Sequence, residues 1–212
     1  MLAEVEKMET INLPLQTSIW ETSVNLKKFY EDNGFIEIRR TYMPLLKVSD
    51  AKKVLSNTSN NVAIKSLKEV MSNDLLVESL THNVKRNYEN THLVNPVATM
   101  GIDEWKDLIF ADDLVLSGSY VYLDNDEKQI LAYSFLHDSE KESTLELGWC
   151  GTAGSENIEL IPQLVYQQIR YAYKHDIQFI LGEFDTTDKY GMEVLNYLLF
   201  APCPTWITYQ KK

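Results

Sequence analysis

Two glycines, Gly151 and Gly154, stand between an alternating run, TLELGWCGT (144–152), and a run of helical period, LIPQLVYQQIRYAYKHD (160–176). A glycine-bearing loop that opens a helix presents unpaired backbone N–H groups, and such groups make a seat for a phosphate. The same stretch also reads as an ordinary strand-to-helix turn that holds nothing. Carboxylates lie on both sides of it. Glu146 shares a strand face with Gly148, opposite Leu145, Leu147 and Trp149. A charge in a central strand is unusual, so Glu146 is either a general base or a solvated or paired carboxylate. Glu183 and Asp185 alternate on the following run, IQFILGEFD (177–185), and either could bind an amine. No Ser/His/Asp or Cys/His spacing suggests a nucleophile. His82, His92, His137 and His175 are far apart, and Cys150 and Cys203 lack ligand spacing, so no metal centre is expected. The two cysteines read as reduced thiols of a cytoplasmic protein.

The elements that must position these residues follow from pattern. Thr144 to Asp185 runs strand, loop, helix, strand, the span of a βαβ crossover. Before it, LVLSGSYVYLD and QILAYSFLHD flank the acidic turn Asp124–Glu127 and read as an antiparallel hairpin. Leu76, Leu80, Val84 and Tyr88 form the core stripe of a helix with Asp74 as its N-cap. GIDEWKDLIF is a second helix, with Ile102, Trp105 and Leu108 or Ile109 facing inward. Near the start, LQTSIWETS is a strand and VNLKKFYEDNGF a helix stopped by Asn33-Gly34. IEIRRTYMPLL is a strand limited by Pro44, and residues 1–10 look like the end of a helix. SNTSNN (56–61) is the best linker candidate. Near the end, TTDKYGMEVLNYLLF is a helix and PTWITYQ the final strand.

The chain has 212 residues, a net charge of −11 and 44% hydrophobic residues. That is ample for a core, and the charge disfavours nucleic-acid and general membrane partners. No apolar run approaches a membrane span, and MLAEVEKMET is not a signal peptide.

FYEDNGFIEIRRTYMP (29–44) resembles the closing helix and strand of the GCN5-related N-acetyltransferase (GNAT) family. The element order over 74–212 is similar to a whole domain of that family. The resemblance implies an α/β fold: a mixed, mainly antiparallel twisted sheet with helices on both faces. It implies a tandem arrangement with residues 1–48 as the C-terminal part of a truncated first repeat, 49–73 as a linker with a short helix, and 74–212 as a complete domain. It also implies N-acetyl transfer from acetyl-CoA, as co-substrate, to a small-molecule or peptide amine. In the family a tyrosine at the position of Tyr30 often protonates the departing thiolate; the other reading of Tyr30 is a core anchor beside Phe29. Tyr197 is the corresponding tyrosine of the second repeat, again either acid or packing residue. Glu146 is the expected base, and Trp149, Gly151, Thr152, Gly154 and Ser155 are the expected CoA-binding set. In the family's pyrophosphate loop, Gly154 matches, whereas Gly151 stands for a Gln or Arg and Glu156 for a small residue. No basic residue lies between Lys141 and Arg170, and Glu156 would repel a pyrophosphate by about 1 kcal/mol. A silent GNAT-like binding or structural module is therefore the alternative. The negative charge suits a cationic acceptor such as a polyamine or aminoglycoside. A sheet edge left by missing strands would favour a homodimer.

Overall fold

The structure, a computed structural model, describes residues 14–51, 63–94, 96 and 98–212. The expected helix end at 1–10 and the linker SNTSNN lie outside the described residues. In chain order the strands are β1 (Leu15–Trp20), β2 (Ile36–Tyr42), β3 (Leu45–Lys47), β4 (Ile64–Ser66), β5 (Tyr120–Leu123), β6 (Ile130–Asp138), β7 (Thr144–Thr152), β8 (Phe179–Leu181), β9 (Phe184–Asp185) and β10 (Thr205–Lys211). The helices are α1 (Val24–Asp32), α2 (Leu67–Val70), α3 (Asp74–Thr91), α4 (Ile102–Ile109), α5 (Ile161–Lys174) and α6 (Lys189–Tyr197). A 3₁₀ turn, Ser155–Leu160, precedes α5. Among the described residues no helix is long and apolar enough to cross a membrane, and no group of three or more His, Cys, Asp or Glu residues could hold a metal ion.

The chain divides into two compact units: the segment up to Tyr42 together with Pro204–Lys212, and Met43–Cys203. The chain changes unit between Tyr42 and Met43 and again between Cys203 and Pro204. Pro44 explains the first, because it ends β2 and the chain resumes as β3 in the other sheet. β3 pairs antiparallel with β8. The second follows from β10, whose apolar side is needed elsewhere. β10 pairs antiparallel with both β1 and β2. Its Ile207 and Tyr209 are wholly buried and join Ile19 and Phe35 in a small core, against which Leu15 and Tyr30 pack. Gly34, at φ +80°, supplies the left-handed residue that turns α1 into β2.

The larger unit is built on a sheet of order β3-β8-β7-β6-β5-β4. β7 and β8 are parallel, as a crossover through α5 requires, and the remaining pairs are antiparallel. The expected hairpin is present as β5 and β6. In its turn the Asp124 carboxylate accepts from the backbone N–H groups of Lys128 (2.7 Å) and Gln129 (3.0 Å). Neighbouring residues of β6 show that helices cover both faces. Tyr133 meets Asn87 of α3, and Ser134 meets Gln168 of α5; successive strand residues point to opposite sides.

The Leu76, Leu80 and Val84 stripe of α3 is buried, with Ile109 of α4 and Val121, Ile130 and Phe135 of the sheet in the same core. Trp105 and Ile109 face inward from α4 and Leu108 faces out. The N-cap of α3 is Asn73 rather than Asp74: its side-chain oxygen accepts from Leu76 N at 3.3 Å. Asp74, one position on, sits in the first turn where a negative charge is favoured.

Candidate functional site

The centre of the larger unit is β7, and β7 is irregular. Ser134 of β6 faces Cys150, but Leu136 faces Leu147, so β7 uses one residue more than β6 between those pairs. Such a bulge takes backbone groups out of the ladder and re-aims side chains. Here it breaks the alternation: the consecutive residues Trp149 and Cys150 both line one cleft.

That cleft is narrow and partly open to solvent, bounded by α3, β6, β7 and the start of α6. Its walls are aromatic. Tyr88 and Trp149 meet edge to face at 5.1 Å, and His92 stacks flat on Tyr88 at 3.7 Å. Its polar floor is a connected set. The Asn87 side-chain amide donates to the Thr152 carbonyl (3.0 Å) and the Tyr133 hydroxyl (3.3 Å), and the Tyr190 hydroxyl donates to the Asn87 side-chain oxygen (3.3 Å). His92 Nδ1 lies 2.9 Å from the Tyr88 carbonyl. A carbonyl only accepts, so Nδ1 carries the proton and Nε2 is the basic nitrogen of the neutral ring.

Asp188 closes the cleft on the side of α6. It is the N-cap of that helix, its carboxylate accepting from Tyr190 N at 3.0 Å. Burial pushes its carboxyl above the ordinary value, and the negative charge of Asp185 works in the same direction. The N–H groups of Tyr190 and Gly191 and the charge of His92 act the other way. Burial also raises the Cys150 thiol and the Tyr133 hydroxyl well above their usual values, so both stay neutral. The cleft thus combines one carboxylate, one imidazole and several aromatic faces. The carboxylate and the imidazole can accept a proton there.

The loop after β7 has mixed credentials as a phosphate seat. A side chain at Gly151 would collide with the Asn87 amide and the Tyr133 hydroxyl, so this glycine permits close packing of α3 on β7. The Thr152 hydroxyl is buried and makes no hydrogen bond. Arg86 of α3 donates to the carbonyls of Thr152 (3.3 Å) and Ala153 (2.9 Å). A positive charge therefore stands at this loop although the loop itself has none. Against a phosphate, Glu156 folds back so that its carboxylate lies over Gly154. Ser155 opens the 3₁₀ turn, and that turn bonds the Ile161 N–H to the Ile158 carbonyl. Pro162, next in α5, has no N–H to offer. The helical run read from Leu160 becomes α-helix at Ile161, after the 3₁₀ turn.

Of the residues expected from sequence, the structure brings Trp149, Gly151 and Thr152 together around the cleft and its Asn87 network. Glu146 lies earlier on β7, holds the Ser139 hydroxyl at 2.6 Å and does not line the cleft. Asp185 is the residue whose carbonyl receives the Asp188 N–H at 2.9 Å, and Glu183 is exposed before it. Tyr197 is 56% exposed at the end of α6. Tyr30 lies in the smaller unit, stacked on Tyr209 at 6.2 Å and edge to face with Phe35 at 5.1 Å. Sequence reasoning missed Asp188, His92, Asn87 and Arg86. Only Asp188 had a local signal, an aspartate immediately before a helical run, which marks an N-cap.

No protein-family model matches the sequence, and no curated protein is significantly similar to it. Solved structures do match. A GCN5-related N-acetyltransferase from Sphaerobacter thermophilus aligns with 94% of this chain and 59% of its own, at 10% identity and a TM-score of 0.60. A tandem GNAT protein from the clavulanic acid biosynthesis pathway aligns with 99% of this chain and 66% of its own, at 10% identity and TM-score 0.57. Saccharomyces cerevisiae N-myristoyltransferase, solved with bound myristoyl-CoA, aligns with 81% of this chain and 47% of its own, at 11% identity and TM-score 0.51. The chain thus spans about three fifths of the length of the Sphaerobacter structure. At these identities the likeness is one of fold: the chain has the GNAT fold, as the sequence resemblance implied.

Proposed function

We propose that this chain is an acyl-CoA-dependent N-acyltransferase, with acetyl-CoA as donor and an amine as acceptor. The observation that carries this reading is the cleft beside the bulge of β7, where Trp149 faces Asp188 and His92. The chemistry asks for a carbonyl to be polarised and an ammonium to lose its proton before the nitrogen attacks. Backbone groups released at the bulge suit the first task, and the Asp188–His92 end of the cleft suits the second. The nitrogen then bonds the acyl carbon, the carbon–sulfur bond breaks, and the surplus proton on the nitrogen passes to the departing thiolate or to water. The departing thiolate, with an ordinary pKa near 8.5, needs little help to leave. Arg86 is the residue best placed to meet a phosphate of the donor at the loop. Glu146, Tyr30 and Tyr197 have no position in the cleft and are given no step. Titration of acetyl-CoA into the full chain tests the reading: saturable micromolar binding, with thiol release when amine is added, is expected. No binding at millimolar acetyl-CoA overturns it.

A second reading is favoured by one observation, the Glu156 carboxylate lying over Gly154. In that reading the seat is closed by the chain's own anion and the unit is a silent GNAT-like module. Glu156→Gly separates the two. If the native chain is inert and the variant gains acetyl-CoA binding, the internal carboxylate is what silences the site.

A further inference from the structure

We infer that the chain holds a ligand site apart from the cleft, for a free amino acid in its zwitterionic form, at the carbonyl end of α5. The inference goes beyond the acyl-transfer reading and does not depend on it. The site is a groove of about 290 Å³ between the turn after β3 and the turn that joins α5 to β8. Backbone bonds fix its walls: Val48 N donates to the Gln178 carbonyl at 2.9 Å, and Gln178 N to the Ser143 carbonyl at 2.9 Å. The loop after β7 precedes α5 and the groove follows it. The 14 residues of the helix, about 21 Å at 1.5 Å per residue, therefore separate the two.

Asp176 is the residue that singles this groove out. It follows α5 at φ +57°, the left-handed position where a helix usually carries glycine. The bond from Ile177 N to the Ala172 carbonyl (3.0 Å) closes that end as a Schellman turn. A carboxylate there also stands at the negative end of the helix dipole, where a cation is favoured. Backbone and charge are thus both unfavourable at Asp176, and such conflicts gather where a ligand is held. An ammonium resolves the charge conflict, because the Asp176 carboxylate and the last carbonyls of α5 both attract it.

Lys47 supplies the opposite charge. Its ammonium lines the same groove, yet it forms no ion pair with Asp176, and among the described residues neither side chain has another partner. Two opposite charges that line one space without meeting each other ask for a ligand that carries both. The groove also presents Val48, Ile177 and the ring of Tyr173, which is 47% exposed. These surfaces suit an apolar side chain.

The test is calorimetric titration of L-leucine and L-phenylalanine into the full chain, with no acyl-CoA present. Leucinamide, which lacks the carboxylate, and N-acetyl-leucine, which lacks the ammonium, are the controls. The amino acids are expected to bind saturably, roughly tenfold or more tighter than either control. Lys47→Gln and Asp176→Asn are each expected to weaken amino-acid binding by roughly tenfold or more. Asparagine accepts the left-handed conformation, so the second variant keeps the turn. Native-like amino-acid binding in either variant overturns the inference. So does leucinamide binding as tightly as leucine, or no binding of either amino acid at about 10 mM. These outcomes stand whether or not the chain binds acetyl-CoA, so failure here leaves the transferase reading intact.

Discussion

Two short helices of the molecule each hold a tyrosine, and they hold it differently. In the smaller unit, α1 runs between β1 and β2, and in the larger, α6 follows β8 and β9. The tyrosine of α1, Tyr30, sits among rings: edge to face with Phe29 at 5.3 Å and with Phe35 at 5.1 Å. The helix has no side-chain cap, since Ser23 makes no capping bond. The buried tyrosine of α6 is Tyr190, on the first turn, and its hydroxyl is bonded to Asn87. The cap of that helix, Asp188, is also a wall of the cleft. One region closes by aromatic packing, and the other keeps a polar cluster that has to be satisfied bond by bond. Apolar contact tolerates exchange of similar shapes, whereas a buried hydrogen-bond network loses several partners when one member is removed. The chemistry is therefore to be sought around α6.

The largest effect should come from breaking the network at its hub. Asn87→Leu strands the Tyr133 and Tyr190 hydroxyls, each a buried group whose loss of partner costs about 1–3 kcal/mol, and leaves the Thr152 carbonyl with Arg86 as its remaining donor. A destabilisation of about 3 kcal/mol or more is expected in urea unfolding of the full chain. A loss under 1 kcal/mol would mean the cluster is loosely held, and the contrast between the two regions would fail.

The surroundings of α1 should behave in the opposite manner. Tyr30→Ala removes the ring that Phe35 and Tyr209 pack against and is expected to cost about 2 kcal/mol, below the range for fully buried aromatic truncations because Tyr30 is only half-buried. Tyr30→Phe keeps the ring and should change stability by less than about 0.5 kcal/mol. It should also leave any acyl transfer unchanged. A hundredfold fall in turnover for the Phe variant would restore Tyr30 to the role of acid that the family resemblance implied.

These pairs also show what could be seen in the sequence. Alternation gave β7 residue for residue, Thr144–Thr152, and the four-residue stripe gave α3. Both are local patterns of side-chain exposure, and both survive in one dimension. The parts that escaped are contacts between distant segments. Nothing local in PTWITYQ says that Ile207 and Tyr209 complete the core around Ile19 and Phe35. The β7 bulge is a mismatch between two strands, visible only in the register of β6 against β7. The positive charge absent from the loop comes from Arg86, 66 positions before Thr152. Glu146 drew attention as a charge on a central strand, yet its carboxylate is matched to Ser139 across the hairpin.

A smaller effect separates the two units by pH. In the smaller unit the Tyr209 hydroxyl donates to the Glu31 carboxylate at 3.0 Å. Burial first, then that bond and the Glu31 charge, push its pKa up to about 12. A raised value favours the neutral folded form. Its stabilisation is full below the unfolded tyrosine value near 10 and is lost as the pH rises from there to about 12. Tyr209→Phe is expected to cost about 1 kcal/mol at pH 8, and the native chain should lose that lead between pH 10 and about 12. An unchanged lead at pH 11.5 would show that the hydroxyl does not titrate as the buried partner of Glu31.

The smallest effect is the most informative about the cleft. The Asp188 carboxyl is raised, chiefly by burial. A raised carboxyl contributes its full stability only below the unfolded aspartate value near 3.9, and that contribution is lost as the pH rises through the folded value. At neutral pH the ionised Asp188 is therefore a net cost to the empty cleft. Asp188→Asn removes the charge while an asparagine caps a helix about as well. The variant should melt slightly above the native chain at pH 7, by the equivalent of up to about 1 kcal/mol, and the gap should close near pH 3. If instead the native chain is the more stable at pH 7 without ligand, the Asp188 charge is already compensated from within, with His92 as the partner, and the cleft is a closed ion pair rather than a seat waiting for an ammonium.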